Sequence, residues 1–245
     1  GFLDRPRPDP DLRADALARS KRQRHRGPDW SGVHEDDRAL ICHERLAIVD
    51  PLSGAQPLYS RDHAQVLAVN GEIYNHRALE QRHDVGDARQ TGSDCEVILP
   101  LYRRLDPVEL CRSLNGIYAF LLWDREAGRY LVARDPIGVM PLYWGRDDEG
   151  RRVVASELKA IHDLCDDVEA FPPGHVYDSA TDTLTRFFDP AWRHQVPAAE
   201  TTPPAIIQAI VDEDDAVAAL AETLEAAVTR QLMCDVPYGA LLSGG

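Results

Sequence analysis

Apolar and polar positions alternate in short blocks along most of the chain, and the period of each block predicts its element. Residues 12 to 24 read as a helix, with Leu12, Ala16 and Leu17 on one side, basic residues on the other, and Gly27-Pro28 ending it. Short aliphatic or aromatic runs bounded by turn residues predict strands at Ala39–Cys42, Val66–Val69, Glu72–Tyr74, Ile117–Trp123, Tyr130–Ala133, Leu142–Trp144 and Val153–Ala155. A helix is expected from Asp94 to about Leu105, opened by a capping box of Ser93 and Glu96. Many short strands with few helices predict an α+β layered fold of antiparallel sheets flanked by helices. After Trp192 the composition shifts: residues 195 to 204 are rich in Pro, Ala and Thr, as in a linker. An amphipathic helix follows from about Asp214 to Leu232, with Val217, Leu220, Leu224, Val228 and Leu232 on one stripe. Tyr238–Leu242 reads as a buried strand, with Ser243-Gly244-Gly245 turning out of its end.

Charge and composition narrow the class. The 245 residues carry a formal net charge of −14, which argues against nucleic acid or an anionic membrane surface as the main partner. No apolar run approaches the ~18 residues of a membrane span, and Arg5 to Pro10 is polar where a signal peptide would be apolar. The five cysteines (Cys42, Cys95, Cys111, Cys165 and Cys234) are odd in number and widely spaced, without a C-x-x-C. Free thiols in a reducing cytoplasm are therefore expected, with no zinc site. The opening at Gly1 and the closing Leu-Leu-Ser-Gly-Gly both read as those of a fragment.

Four short stretches could carry chemistry, though each has an ordinary structural reading. Asn70-Gly71 between strand-like residues is a strong hairpin signal, yet an Asn amide and a Gly N–H on one tight turn can also form an oxyanion hole. Arg24-His25-Arg26 before Gly27 suits a helix C-terminus or the border of a carboxylate site. Arg45, on a strand, is either a surface ion-pair partner or a bidentate carboxylate binder. Asp94 after Ser93 fits a helix start or an ammonium site.

Six segments place these stretches in one order: Arg24–Ser31 (RHRGPDWS), His43–Asp50 (HERLAIVD), Val69–Asn75 (VNGEIYN), Thr91–Val97 (TGSDCEV), Arg134–Tyr143 (RDPIGVMPLY) and Asp235–Gly245 (DVPYGALLSGG). The series resembles the glutamine-hydrolysing asparagine synthetases of the asparagine synthetase B type. The resemblance implies a class II glutamine amidotransferase domain over residues 1–192, a linker over 193–212 and the start of an ATP-dependent synthetase domain over 213–245. The implied fold is the N-terminal-nucleophile hydrolase type, a four-layer sandwich of two antiparallel sheets between helical layers, followed by the first helix and strand of an α/β ATP-pyrophosphatase domain.

It further implies that Arg45 holds the α-carboxylate of glutamine, with Leu46, Ala47, Ile48 and Val49 shaping the pocket. Asp94 and Glu72 would face the α-amino group, and Asn70 with Gly71 would form the oxyanion hole. Arg26 and Gly27 would border the pocket, and Leu242, Ser243, Gly244 and Gly245 would begin the ATP site, with Mg2+ as the nucleotide's companion. Substrates would be glutamine, aspartate and ATP, in a cytoplasmic homodimer. The family's nucleophile is an N-terminal cysteine four residues before the glycine that Gly1 matches. It is absent here, so the chain as written is expected to be inactive as a glutaminase. The alternatives are another amidotransferase with the same front domain, a β-lactam-synthetase-like ligase, or a non-catalytic module built on the amidotransferase fold.

Overall fold

A computed structural model describes residues 1–4, 9–191 and 213–241. Two antiparallel six-stranded sheets form its centre. The first has the order β10-β8-β9-β1-β3-β2, built from β1 (Phe2–Leu3), β2 (Trp30–Glu35), β3 (Leu40–Arg45), β8 (Tyr143–Arg146), β9 (Arg152–Ala155) and β10 (Glu169–Ala170). The second has the order β12-β11-β7-β6-β5-β4, from β4 (Leu58–Tyr59), β5 (Gln65–Ile73), β6 (Gly116–Asp124), β7 (Arg129–Arg134), β11 (His175–Asp178) and β12 (Thr183–Arg186).

The period-2 alternation of β6 shows why the layers stack. Ala119, Leu121 and Trp123 join Leu3, Ile41, Val132, Trp144 and Phe171 in the core between the sheets. Tyr118, Phe120 and Leu122 point the other way, onto Leu79, Val97, Ile98, Leu101 and Leu110. These belong to α2 (His76–His83), a single 3₁₀ turn at Asp94–Val97, α3 (Ile98–Tyr102) and α4 (Pro107–Ser113). On the outer face of the first sheet, Leu12 and Ala16 of α1 (Pro10–Lys21) pack with Phe2, Leu40, Val153 and Ile161. The result is helix, sheet, sheet, helix. A strand covered on both faces buries almost every side chain, as β6 does from Tyr118 to Asp124.

Several elements differ from the sequence reading. The first helix runs from Pro10 to Lys21, because Asp9 caps it through the N–H groups of Asp11 and Leu12. Asn70-Gly71 is no hairpin turn: both residues lie inside β5, paired with Ala119 and Tyr118 of β6. The strand segments expected at Val66–Val69 and Glu72–Tyr74 are accordingly one strand, Gln65–Ile73. Residues 94–105 form a 3₁₀ turn and a short helix rather than one long helix, and Ser93 makes no side-chain cap. Glu96 instead accepts the N–H groups of Gln90 (2.6 Å) and Thr91 (2.8 Å), which folds the 90–96 turn back on itself.

Contacts divide the chain into two units: Gly1–Phe188 with the segment from Asp235 onward, and Asp189–Cys234. The second unit contains α5 (Glu213–Gln231), where a helix is expected, and its Val217, Leu220, Leu224 and Val228 are 53–69% exposed. Tyr238–Leu241 forms no strand, and Tyr238 and Leu241 are exposed. A strand forms only by pairing with a neighbour, and among the described residues none pairs with this segment. The expected linker at 193–212 and the expected nucleotide-loop residues Leu242, Ser243, Gly244 and Gly245 lie outside the described residues.

Candidate active site

The C-terminal ends of β3 and β5 open onto one cavity of about 390 Å³, a size suited to a small metabolite. Arg45, Leu46, Ile48, Val49, Asn70, Gly71, Glu72 and Asp94 all line it, as does Arg26. Ala47 and Gly27 do not. Ala47 turns aside because its N–H is held by the Asp29 carboxylate at 2.8 Å. Gly27 supports the wall from behind: a Cβ there would lie 2.1 Å from the Glu44 carbonyl, so only glycine lets this loop lie against β3.

Arg45 closes β3 and is buried, 6% exposed. Its Nη2 donates to the carbonyls of Val49 (3.0 Å) and Asp50 (2.6 Å), which fixes the plane of the guanidinium. Burial lowers its pKa, yet a guanidinium stays charged. Gly54 makes room for it, since a Cβ there would sit 2.7 Å from Nη2. The result is an oriented cation in the cavity wall, held by neutral carbonyls.

The acidic side of the cavity is Asp94 and Glu72. Asp94 is 3% exposed, and its Oδ2 accepts the Ile73 N–H at 2.6 Å. Burial raises the pKa of Asp94; burial and then the nearby Asp94 charge raise that of Glu72. Two desolvated carboxylates side by side form a site that a cation would relieve. His43, beside Arg45 on the same wall, is pushed down to about 4 by burial and by that cation, so it is neutral near pH 7.

Asn70 and Gly71 sit between these charges on β5. The Asn70 Nδ2 donates to Ser156 Oγ at 3.3 Å. Gly71 has φ of 137°, and a Cβ on it would lie 1.9 Å from the Ile117 carbonyl, so the position requires glycine. One amide N–H₂ and one backbone N–H side by side on a rigid strand are the donor types that stabilise an oxyanion.

Sequence reasoning missed three wall residues. Gln56 uses its whole amide on β5, donating from Nε2 to the Val69 carbonyl (3.0 Å) and accepting the Val69 N–H on Oε1 (2.7 Å). Ser156 partners Asn70, and His43 was read only as part of a motif. Gln56 and Ser156 carry no local signal, since each matters through a contact distant in sequence. Cys42 and Cys95 also line the cavity; burial raises both thiols, Cys95 well above the usual range. All five cysteines are free, as expected, and no His/Cys/Asp/Glu group among the described residues could hold a metal. No described helix is long and apolar enough to cross a membrane.

The model of the glutamine amidotransferase domain matches residues 3–188, and that of asparagine synthase matches residues 219–245. The chain is 44% identical over 235 residues to the glutamine-hydrolysing asparagine synthetase B of Escherichia coli, covering 96% of this chain and 40% of that protein. It is 47% identical over 234 residues to a probable asparagine synthetase of Schizosaccharomyces pombe, covering 94% and 39%. The chain thus spans about 40% of the length of these relatives. Among solved structures, an allosteric regulatory enzyme of purine biosynthesis is similar with a TM-score of 0.53 and 28% identity, covering 62% of this chain and 36% of that one. The glutamine phosphoribosylpyrophosphate amidotransferase of B. subtilis gives a TM-score of 0.51 at 28% identity, with 62% and 35% covered. The four layers are therefore of the N-terminal-nucleophile hydrolase type.

Proposed function

The chain belongs to the glutamine amidotransferase domain family, and from that premise we propose that its cavity binds L-glutamine as a zwitterion and is the site where the side-chain amide is hydrolysed. One observation carries the reading: a buried cation, two oxyanion-type donors and a buried anion line a single cavity. Arg45 takes the α-carboxylate, and Asp94 with Glu72 takes the α-ammonium. The amide carbonyl then faces Asn70 Nδ2 and the Gly71 N–H.

The chemistry follows from these positions. A thiol attacks the amide carbon, and the oxygen becomes an anion held by Asn70 and Gly71. The C–N bond breaks, and ammonia leaves with a proton from the group that had accepted the thiol's proton. Water then cleaves the thioester, giving glutamate and restoring the thiol. The nucleophile is assigned, by resemblance, to an N-terminal cysteine four residues ahead of Gly1, whose own α-amine is the base. Gly1 itself lines the cavity, so residues joined to it start at the cavity wall. The internal thiols suit the role poorly, because none carries an α-amine and burial keeps Cys42 and Cys95 protonated.

For the whole protein the proposal extends to asparagine synthesis. Ammonia would pass to a second domain, beginning near residue 213, where aspartate activated as β-aspartyl-AMP becomes asparagine. Support comes from the asparagine synthase match at residues 219–245 and from the relatives' names. ATP, with Mg2+, would supply the activation, and Leu242, Ser243, Gly244 and Gly245 would open the phosphate-binding loop, whose backbone N–H groups suit phosphate oxygens. A cytoplasmic homodimer with these substrates completes the reading.

The test is glutamate release by the full-length protein with cysteine exposed as its first residue. Asn70→Ala should lower kcat about 10²–10³-fold, the usual loss for one oxyanion donor. Turnover that survives removal of that first cysteine, and disappears in Cys95→Ser, would contradict the assignment.

A further inference from the structure

One residue far along the chain clasps the loop that orients Arg45. The Asp50 N–H donates to Asp235 Oδ2 at 2.8 Å, and the Asp235 N–H donates to the Ile48 carbonyl at 3.0 Å. Asp235 therefore grips residues 48–50 with its side chain and backbone together, across 185 positions of sequence. The grip falls on a turn residue, since Asp50 has φ of 48°, in the left-handed region that Asp tolerates better than most side chains.

The same loop reaches both charged walls of the cavity. The Val49 and Asp50 carbonyls fix the Arg45 guanidinium. The Asp50 carboxylate accepts the Gly92 N–H at 2.7 Å and also bonds Ser53, so it anchors the turn that leads into Asp94. Ile48 and Val49 are themselves cavity wall. A shift of residues 48–50 would thus move the carboxylate-binding cation relative to the ammonium-binding anion.

We propose that Asp235 is a positioning residue for glutamine binding: its paired hydrogen bonds to Ile48 and Asp50 hold the 48–50 loop in the form that sets Arg45 for the substrate carboxylate. This rests on the glutaminase reading above. It adds a link that reading does not contain, because Asp235 lies within the asparagine synthase match, seven residues before Leu242. Movement of that segment would be felt first as a change in glutamine affinity rather than in the rate of bond cleavage.

The experiment uses the full-length enzyme with its first cysteine, comparing wild type, Asp235→Ala and Asp235→Asn. Glutamine-dependent glutamate release gives KM and kcat; asparagine formed from ammonium chloride reports the second domain and the folded state. Asp235→Ala is expected to raise the KM for glutamine about 3–10-fold with kcat within about twofold, because the bond it removes is charge-assisted but solvent-exposed. Asp235→Asn keeps an acceptor oxygen and should restore most of the affinity. Ammonium-dependent synthesis should be unchanged in both. An unchanged KM in Asp235→Ala overturns the proposal, as does an equal fall of both activities with KM unaltered. A wild-type enzyme that fails to hydrolyse glutamine would instead strike at the glutaminase reading, and take this proposal with it.

Discussion

Asp94 and Glu72 bear the electrostatic cost of burial in the cavity wall. Both carboxyl pKa values are raised in the folded protein, first by burial. A carboxylate shifted this way contributes stability below its unfolded pKa and loses it as pH rises through the folded value. The ligand-free protein should therefore lose stability as pH rises just above the ordinary carboxylate range, and an ammonium ligand should offset that loss. The stabilisation by glutamine in a thermal-unfolding experiment should accordingly grow as pH rises through the window that begins at the ordinary carboxylate range, about pH 4. Asp94→Asn should flatten the growth. His43 enters only at the low edge of the window, since its pKa is near 4. A glutamine effect that is flat with pH in the wild type would mean that these carboxylates do not meet the amino group.

At the scale of elements, the oxyanion strand is held by a side chain from a loop. Gln56 satisfies both the N–H and the carbonyl of buried Val69, the residue before Asn70. Gln56→Ala would leave that pair without its partner, at a cost of ~1–3 kcal/mol. In a unit of this size that corresponds to a fall in Tm of about 2–10 °C, readable by calorimetry. An apolar run bounded by turn residues did announce the long buried strands, as at Ile117–Trp123 inside β6. It could not announce β2 or β12, whose side chains are largely polar or exposed and carry no period. The Asn-Gly pair misled for a definable reason: local turn preference was overridden by nine continuous pairs between β5 and β6, and glycine was needed for the close approach of Ile117. Likewise the Ser93–Glu96 capping box gave way because Glu96 found better donors at residues 90 and 91.

For the whole molecule, stacking two antiparallel sheets brings the C-terminal ends of β3 and β5 to a common cavity, though Arg45 and Asp94 are far apart in sequence. No spacing rule places them together. That Arg45, Asn70, Gly71 and Asp94 belong to ordered motifs was legible in the sequence, whereas the supporting contacts of Gln56, Ser156 and Asp235 arise only from the folded arrangement. The central claim is that this cavity recognises both charged ends of one free amino acid. Calorimetric titration of L-glutamine tests it most directly, because binding does not depend on the nucleophile. The account predicts one site, with affinity at least about tenfold weaker in Arg45→Ala and in Asp94→Asn, since each loses a charge-assisted contact. Wild-type affinity in both variants would contradict it.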